Sequence, residues 1–396
     1  MTRQVIIASG VRTAIGGFGA ALAGHSPCDL AAAVMRAAIL RAGVTGADIG
    51  QTVFGHVIHT APEDMYLSRV AAMRAGVPET VPALTLNRLC GSGLQAVVTA
   101  AEQILLGNAD ITLAGGVESM SRTGHLLTTS RTGQKMGDAT ATDMMTGALT
   151  DPFGNGHMGI TAEIVAERGQ IDRATQDAFA LESHRRAALA QAEGRFASQI
   201  LPLTVKKGRT EVVFDRDEHV RPDVTAADLA KLRPAFRKDG TVTAGNASGI
   251  NDGAGALVLM DAATALARGI TPLARIVAYG LGGVAPEVMG LGPVPAVRQA
   301  LARAGLTIAD LDVIESNEAF AAQACAVSRD LGLPADRVNP NGGAVALGHP
   351  VGASGAIILI KLVHELARTG GRYGLATMCI GGGQGIAVVV ERTSGG

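Results

Sequence analysis

Three side chains in this 396-residue chain have the chemistry and the surroundings for covalent work: Cys90, His349 and Cys379. Cys90 stands in Asn87-Arg88-Leu89-Cys90-Gly91-Ser92-Gly93-Leu94, between an extended stretch (81–86) and an apolar helical run (94–106). A thiol at a helix start faces unpaired N–H groups, and the macrodipole there favours the thiolate. The plain alternative is a buried, inert core cysteine. His349 is held between Gly348 and Pro350 in a glycine-rich loop, where packing gives no reason for an imidazole. A surface histidine is its plain alternative; its functional role would be to take the proton from Cys90. Cys379 ends an apolar stretch and precedes Ile380-Gly381-Gly382-Gly383. Glycines in a row cost backbone entropy and suit places where N–H groups must approach a ligand. Such N–H groups could form an oxyanion hole, worth about 3–4 kcal/mol per donor.

A hydrolase needs one cysteine. A second thiol makes sense where a further proton must move, for instance from a carbon next to a carbonyl. Two thiols and one imidazole therefore suggest acyl transfer to carbon: one cysteine carries an acyl group and the other makes a carbanion.

These residues need a scaffold, and the hydrophobic pattern supplies one. Residues 5–9, 52–57, 81–86 and 111–115 read as buried strands, and 29–42, 65–75 and 94–106 as helices. Such alternation predicts βαβ units and a largely parallel sheet. From about 119 to 248 the texture loosens, with more Thr, Ser, Gly and Met and more charged helices such as 175–193. This reads as an inserted domain. Alternation returns from about 257, with strands at 312–315 and 373–377. Asn317-Glu318-Ala319-Phe320, Gly348-His349-Pro350 and Cys379–Gly383 all lie at or just beyond strand ends, where open α/β sheets bind ligands.

The last third repeats the first. Arg41-Ala42-Gly43 returns as Arg303-Ala304-Gly305, Ala47-Asp48 as Ala309-Asp310, Ser92-Gly93 as Ser354-Gly355 and Leu113-Ala114 as Leu375-Ala376, each 262 positions on. One register over that distance implies two copies of an α/β half related by a pseudo-dyad. Cys90 then corresponds to Gly352, so asymmetric chemistry stands on a symmetric scaffold.

Composition excludes several classes. A formal net charge of −1 gives no basic bias toward nucleic acid or an anionic membrane. The four cysteines (Cys28, Cys90, Cys325, Cys379) are far apart and form no CxxC, against a zinc or disulfide framework. His56 and His59 lack a partner motif such as HExxH, so no metal is expected. Cys28 and Cys325 read as packing residues. Neither an N-terminal leader pattern nor a long uncharged apolar span is evident, so a cytoplasmic protein in a reducing compartment is expected.

Asn87–Gln95, Gly115-Gly116-Val117-Glu118-Ser119-Met120-Ser121, Asn317–Phe320, residues 341–355 and residues 379–385 occur in this order, and together they resemble the thiolases over nearly the whole chain. The resemblance implies a five-layered αβαβα fold of two similar βαβαβαββ halves plus a loop domain covering coenzyme A. The halves would be residues 1–118 with 249–270, and 271–396; the loop domain would be 119–248. It implies an acyl thioester on Cys90, His349 as its base, and Cys379 as acid/base at the substrate α-carbon. One oxyanion site would use His349 and a water held by Asn317, the other the N–H groups of Cys90 and Gly381. The coenzyme A pocket would include Leu149, His157, Met158, Arg221, Phe236, Ala244, Ser248, Met289, Ala319 and Phe320. No permanently bound cofactor is implied; acyl-CoA and acetyl-CoA are the expected substrates, and a homotetramer built as a dimer of dimers the expected assembly. Asp64-Met65-Tyr66-Leu67 and Asp217-Glu218-His219-Val220-Arg221 are similar to the broad-specificity β-ketothiolases associated with polyhydroxyalkanoate synthesis. A degradative 3-ketoacyl-CoA thiolase of fatty-acid β-oxidation is the alternative.

Overall fold

A computed structural model describes residues 3–393. Strand β1 (Val5–Thr13) is buried along its whole length. Helix α1 (Pro27–Arg41) follows, with Pro27 in its first turn and the Ser26 hydroxyl accepting the Asp29 N–H. Then come β2 (Gln51–Gly55), α2 (Leu67–Arg74), β3 (Ala83–Leu86), α3 (Ser92–Leu105) and β4 (Ile111–Ser119). Residues expected to begin the second helix form a tight turn over Pro62–Tyr66, because Asp64 folds back on the N–H groups of Thr60 and Ala61. The segment after β4 contributes small hairpins, five-residue helices at Met144–Ala148 and Ala226–Ala230, and two longer helices, α4 (Met158–Gly169) and α5 (Arg173–Ala192). The chain then re-enters the sheet as β5 (Asn251–Asp261). The second half runs β6 (Ala274–Gly283), α6 (Pro293–Ala304), β7 (Val313–Ser316), α7 (Ala321–Leu331), α8 (Val351–Thr369), β8 (Tyr373–Ile380) and β9 (Gln384–Arg392).

The main strand order is β7-β8-β9-β6-β1-β5-β4-β2-β3. The expectation of a largely parallel sheet fails here. Only β7–β8, β4–β2 and β2–β3 among these pairs are parallel. β5 lies antiparallel between β1 and β4, and β9 antiparallel between β8 and β6. The physical reason is connectivity. β9 follows β8 through the short glycine turn, which can only reverse direction, and β5 returns from a long insertion that needs no right-handed crossover.

The two halves of the sheet meet at only two residue pairs, Ile6 with Arg275 and Ile7 with Ala274. Helices α1 and α2 cover the outer face of one half, and α6 that of the other. Between the halves lie α3 and α8, in contact with each other and with both. The result is a five-layered αβαβα arrangement. Corresponding elements keep the 262-residue offset: Thr45 and Asp48 close a capping box that Thr307 and Asp310 repeat. The strand equivalent to β3 has shrunk to a bridge between Val338 and Ile314.

The repeated Ser-Gly pair is where the central helices cross. A Cβ on Gly93 would stand 2.7 Å from the Ala356 nitrogen, and one on Gly355 would stand 2.3 Å from the Leu94 nitrogen. Only glycine allows this approach. It brings the starts of α3 and α8 together, and with them the residues just before each start.

Candidate active site

Between β3 and α3 the chain makes a tight, hydrogen-bonded bend. Leu89 adopts a left-handed φ of 47°, a conformation non-glycine residues keep only when their surroundings enforce it. The Asn87 side-chain oxygen accepts the Leu89 N–H at 2.8 Å. The Ser92 hydroxyl accepts the Arg88 N–H at 2.8 Å and donates to the Leu89 carbonyl at 2.7 Å. Gly91 packs against Ile380 so closely that a Cβ would stand 2.4 Å from its Cδ1. Cys90, in the middle of this bend, lines the largest apolar cavity around the chemistry-bearing residues.

His349 comes from the other copy. Its N–H donates to Asn251 Oδ1 at 3.0 Å, and Gly348, at φ 103°, lies against the same side chain. Its Nδ1 lies 2.6 Å from Ser354 Oγ, whose hydroxyl donates to the Pro350 carbonyl at 2.9 Å. A hydroxyl has one proton, so Nδ1 must donate to Ser354 and Nε2 carries the lone pair. That lone pair accepts a long contact of 3.5 Å from Asn317 Nδ2. Burial lowers the His349 imidazole to about 4, so it is a neutral base at physiological pH.

Asn317 is fixed by a neighbour. Asn339, itself left-handed at φ 44°, exchanges hydrogen bonds with the Ser316 N–H and carbonyl at 2.9 and 2.8 Å and donates to Glu318 Oε1 at 2.7 Å. Glu318 also accepts from the Ser183 hydroxyl and the Val345 N–H. The buried Glu318 carboxylate thus anchors the loop that presents Asn317.

Cys379 lies within the end of β8 rather than beyond it, and is 1% exposed. Gly382 and Gly383 turn the chain at φ 83° and 89°, a conformation that requires glycine. Burial pushes the Cys90 thiol up to about 11, against the N–H groups of Gly381 and Cys90 itself, with Glu118 adding to the rise. Cys90 keeps part of its surface open to the cavity, so this is the desolvation of an apolar pocket rather than of a sealed core. Burial and the neighbouring Cys90 push Cys379 higher still, above the usual thiol range. The helix start favours the thiolate, but a second force opposes it here. Desolvation outweighs the helix-end donors, and both thiols rest protonated beside a neutral imidazole.

The cavity holds about 430 Å³, and its lining includes Cys90, His349, Cys379 and Gly381. Every residue expected to contact coenzyme A also lines it: Leu149, His157, Met158, Arg221, Phe236, Ala244, Ser248, Met289, Ala319 and Phe320. Asn317 does not, and reaches the site through His349. One wall is aromatic. The Phe236 ring stacks on His157 at 4.7 Å and meets Phe320 edge-on at 6.2 Å. His157 caps α4, its Nδ1 accepting the Gly159 N–H at 3.0 Å, and burial lowers its imidazole. Ser248 N–H bonds the Ala319 carbonyl, so the inserted segment is laced to the Asn317 loop. Met120, His219, Ile250 and Val351 also line the cavity and were missed as contacts. His219 could have been found through Arg221 two residues on; the other three carry no signal beyond apolar character. Also missed was a cation inside the apolar run of α8, Lys361, paired with Glu315 at 2.7 Å in the core.

His56 and Cys28 lie elsewhere. His56 is buried with Nδ1 3.3 Å from Glu118 Oε1 and Nε2 3.8 Å from Asp64. Cys28 is buried and donates weakly to Asp64 at 3.7 Å. The other Glu118 oxygen accepts the Gly352 N–H at 2.9 Å, at the start of α8, in the position corresponding to Cys90. Among the described residues no helix is long and apolar enough to cross a membrane.

Comparison with known proteins gives concordant matches. Residues 5–263 match the model of the thiolase N-terminal domain and residues 270–392 that of the thiolase C-terminal domain. The β-ketothiolase BktB of Cupriavidus necator is 59% identical over 99% of this chain and 100% of its own length. An acetyl-CoA acetyltransferase of Chromobacterium violaceum is 52% identical over 98% of this chain and 100% of its own. The crystal structure of human mitochondrial 3-ketoacyl-CoA thiolase in complex with CoA superposes with a TM-score of 0.96, at 42% identity, over 99% of both chains.

Proposed function

The chain belongs to the thiolase family, and from that we propose that it is an acetyl-CoA C-acyltransferase. It condenses acetyl-CoA with an acyl-CoA to give a 3-oxoacyl-CoA and coenzyme A, and runs the reverse thiolysis. The observation carrying the reading is that Cys90, His349 and Cys379, drawn from both copies of the repeat, line one cavity with the aromatic wall of His157, Phe236 and Phe320.

Each proton has a place. His349 Nε2 takes the Cys90 proton as the sulfur attacks the acyl-CoA carbonyl. The N–H groups of Cys90 and Gly381 stabilise the tetrahedral oxyanion, and coenzyme A leaves with the Cys379 proton. The Cys379 thiolate and the His349 imidazolium then persist as an ion pair. Acetyl-CoA enters, Cys379 removes a methyl proton, and Asn317 with His349 holds the enolate oxygen. Enolate carbon attacks the Cys90 thioester. The released Cys90 sulfur recovers its proton from His349, so the site returns to its starting state.

Neutral resting thiols suit this cycle, because each proton is stored on the group that must give it up. The relatives named β-ketothiolase and acetyl-CoA acetyltransferase favour this reading over the degradative alternative, which turnover against acyl length would separate. We further propose the division into two halves and a covering loop segment, broad acyl specificity, a role in supplying 3-oxoacyl-CoA for polyhydroxyalkanoate, a cytoplasmic location and a homotetramer. The exposed apolar residues Leu126, Leu127 and Met136 support an assembly interface.

Intact-mass analysis after mixing with acetyl-CoA tests the site. An acetyl adduct confined to the Cys90 peptide is expected. Cys379→Ala should still be acetylated but should fail to exchange the methyl protons of acetyl-CoA. Condensation at the normal rate by Cys90→Ser would sink the scheme.

A further inference from the structure

We propose that Glu315, Ser316 and Lys361 hold a buried water behind Asn317 and Ser354, and so act as positioning residues for the Asn317–His349 pair. The inference rests on the functional reading above. It concerns groups that touch neither the cavity wall nor the reacting atoms.

A cavity of about 20 Å³ borders Asn317 and shares no lining residue with the substrate cavity. Its polar lining comes from Glu315, Ser316, Asn317, Ser354 and Lys361. All five are buried. A space of this size accommodates a water when two to four polar partners face it. Glu315 Oε1 and Ser316 Oγ are both buried without a hydrogen-bond partner. Lys361 donates to Glu315 Oε2 and to the Gly342 carbonyl, each at 2.7 Å, which leaves one of its three ammonium protons unassigned. One water supplies what each lacks: it accepts from Lys361 and donates to Glu315 and to Ser316.

A buried ion pair is poor evidence of stabilisation, since well-packed apolar residues of equal volume often do as well. Its location suggests another role. Glu315 and Ser316 directly precede Asn317 on the end of β7. Ser354, on the same cavity, is the group that fixes the His349 tautomer. The cavity therefore borders both sides of the pair that receives the enolate oxygen: Asn317 directly, and His349 through Ser354. Burial raises the Glu315 carboxyl to about 7, with Lys361 opposing the rise.

Positioning of this kind predicts a split between the half-reactions. Cys90 acylation needs His349 only as base and sets its oxyanion on the N–H groups of Cys90 and Gly381, whereas enolate formation sets its oxyanion on Asn317 and His349 together. Ser316→Ala and Glu315→Gln should lower methyl-proton exchange about five- to tenfold while the Cys90 acetylation rate stays within about twofold. Lys361→Met should do the same if it folds; Ser316→Ala removes only a hydroxyl and keeps the test available if it does not. A purely structural pair would lower thermal stability and slow both half-reactions together. Unchanged ratios in Ser316→Ala and Glu315→Gln overturn the proposal, as does high-resolution crystallographic density lacking a water between Glu315 and Ser316. Absence of acetylation in the unmodified enzyme would instead overturn the functional reading itself.

Discussion

Ser354 Oγ lies 2.6 Å from His349 Nδ1 and spends its own proton on the Pro350 carbonyl. This serine thereby decides which imidazole nitrogen is basic. Ser354→Ala leaves a buried Nδ1–H without an acceptor and releases the tautomer. A loss of about 1–2 kcal/mol of transition-state stabilisation, roughly five- to thirtyfold in kcat/KM, is expected. Steady-state thiolysis measures it, and a variant within twofold of the parent would contradict the assignment.

The lowered His349 has a consequence for stability. Its folded value of about 4 lies below that of an unfolded histidine near 6.5. Above that unfolded value both states are neutral and nothing is lost. As pH falls from about 6.5 toward 4, the unfolded chain takes up the proton first and stability drops. His349→Asn, neutral at all pH, should remove about 1–3 kcal/mol of that drop. Urea unfolding at several pH values reads it; parallel curves for both proteins would refute it. On the alkaline side the sign reverses. Cys90, raised to about 11, contributes stability that is full below the usual thiol value and fades as pH rises through its own.

The crossing of the central helices is intolerant. Gly93→Ala or Gly355→Ala forces a Cβ to within 2.7 Å or 2.3 Å of backbone nitrogen. Each substitution should destabilise by about 2–3 kcal/mol. Because the helices carry the nucleophile and the base apart as they separate, Cys90 acetylation should fall more than a surface variant of equal stability would show. Wild-type melting and acetylation for either variant would disprove the close contact.

Phe236 forms the middle of the aromatic wall. Phe236→Ala removes a stacking surface far from the proton transfers, so it should act on binding. KM for acyl-CoA should rise about tenfold with kcat within about threefold. A collapse of kcat with KM unchanged would place the ring nearer the reacting atoms than the wall implies.

Much of this site was readable in the sequence because its residues break local rules. Cys90 and His349 sit among glycines that the helix and strand periods do not call for, and the repeated Ser-Gly marks the crossing that joins them. The fold class was legible for the same reason, since strand and helix periods recur with one offset. Strand direction was not. β5 looks like any buried strand, and only the connection through residues 120–250 makes it antiparallel. The raised thiol of Cys90 was not legible, because the helix start is a local feature while the apolar pocket around it is assembled from distant segments. Lys361 and Glu315 lie 46 residues apart, so only the folded chain reveals them as a pair.

The side chain of Glu118 on the Gly352 N–H makes the two helix starts unequal. A doubled half-domain begins with two equivalent helix starts, each able to hold an anion. Here one is permanently filled from within, and a side chain added at position 352 would begin 2.7 Å from that carboxylate. A cysteine there would have to displace that side chain. Glu118 therefore works as an internal plug: the second helix start cannot serve as a second catalytic centre while the plug is in place.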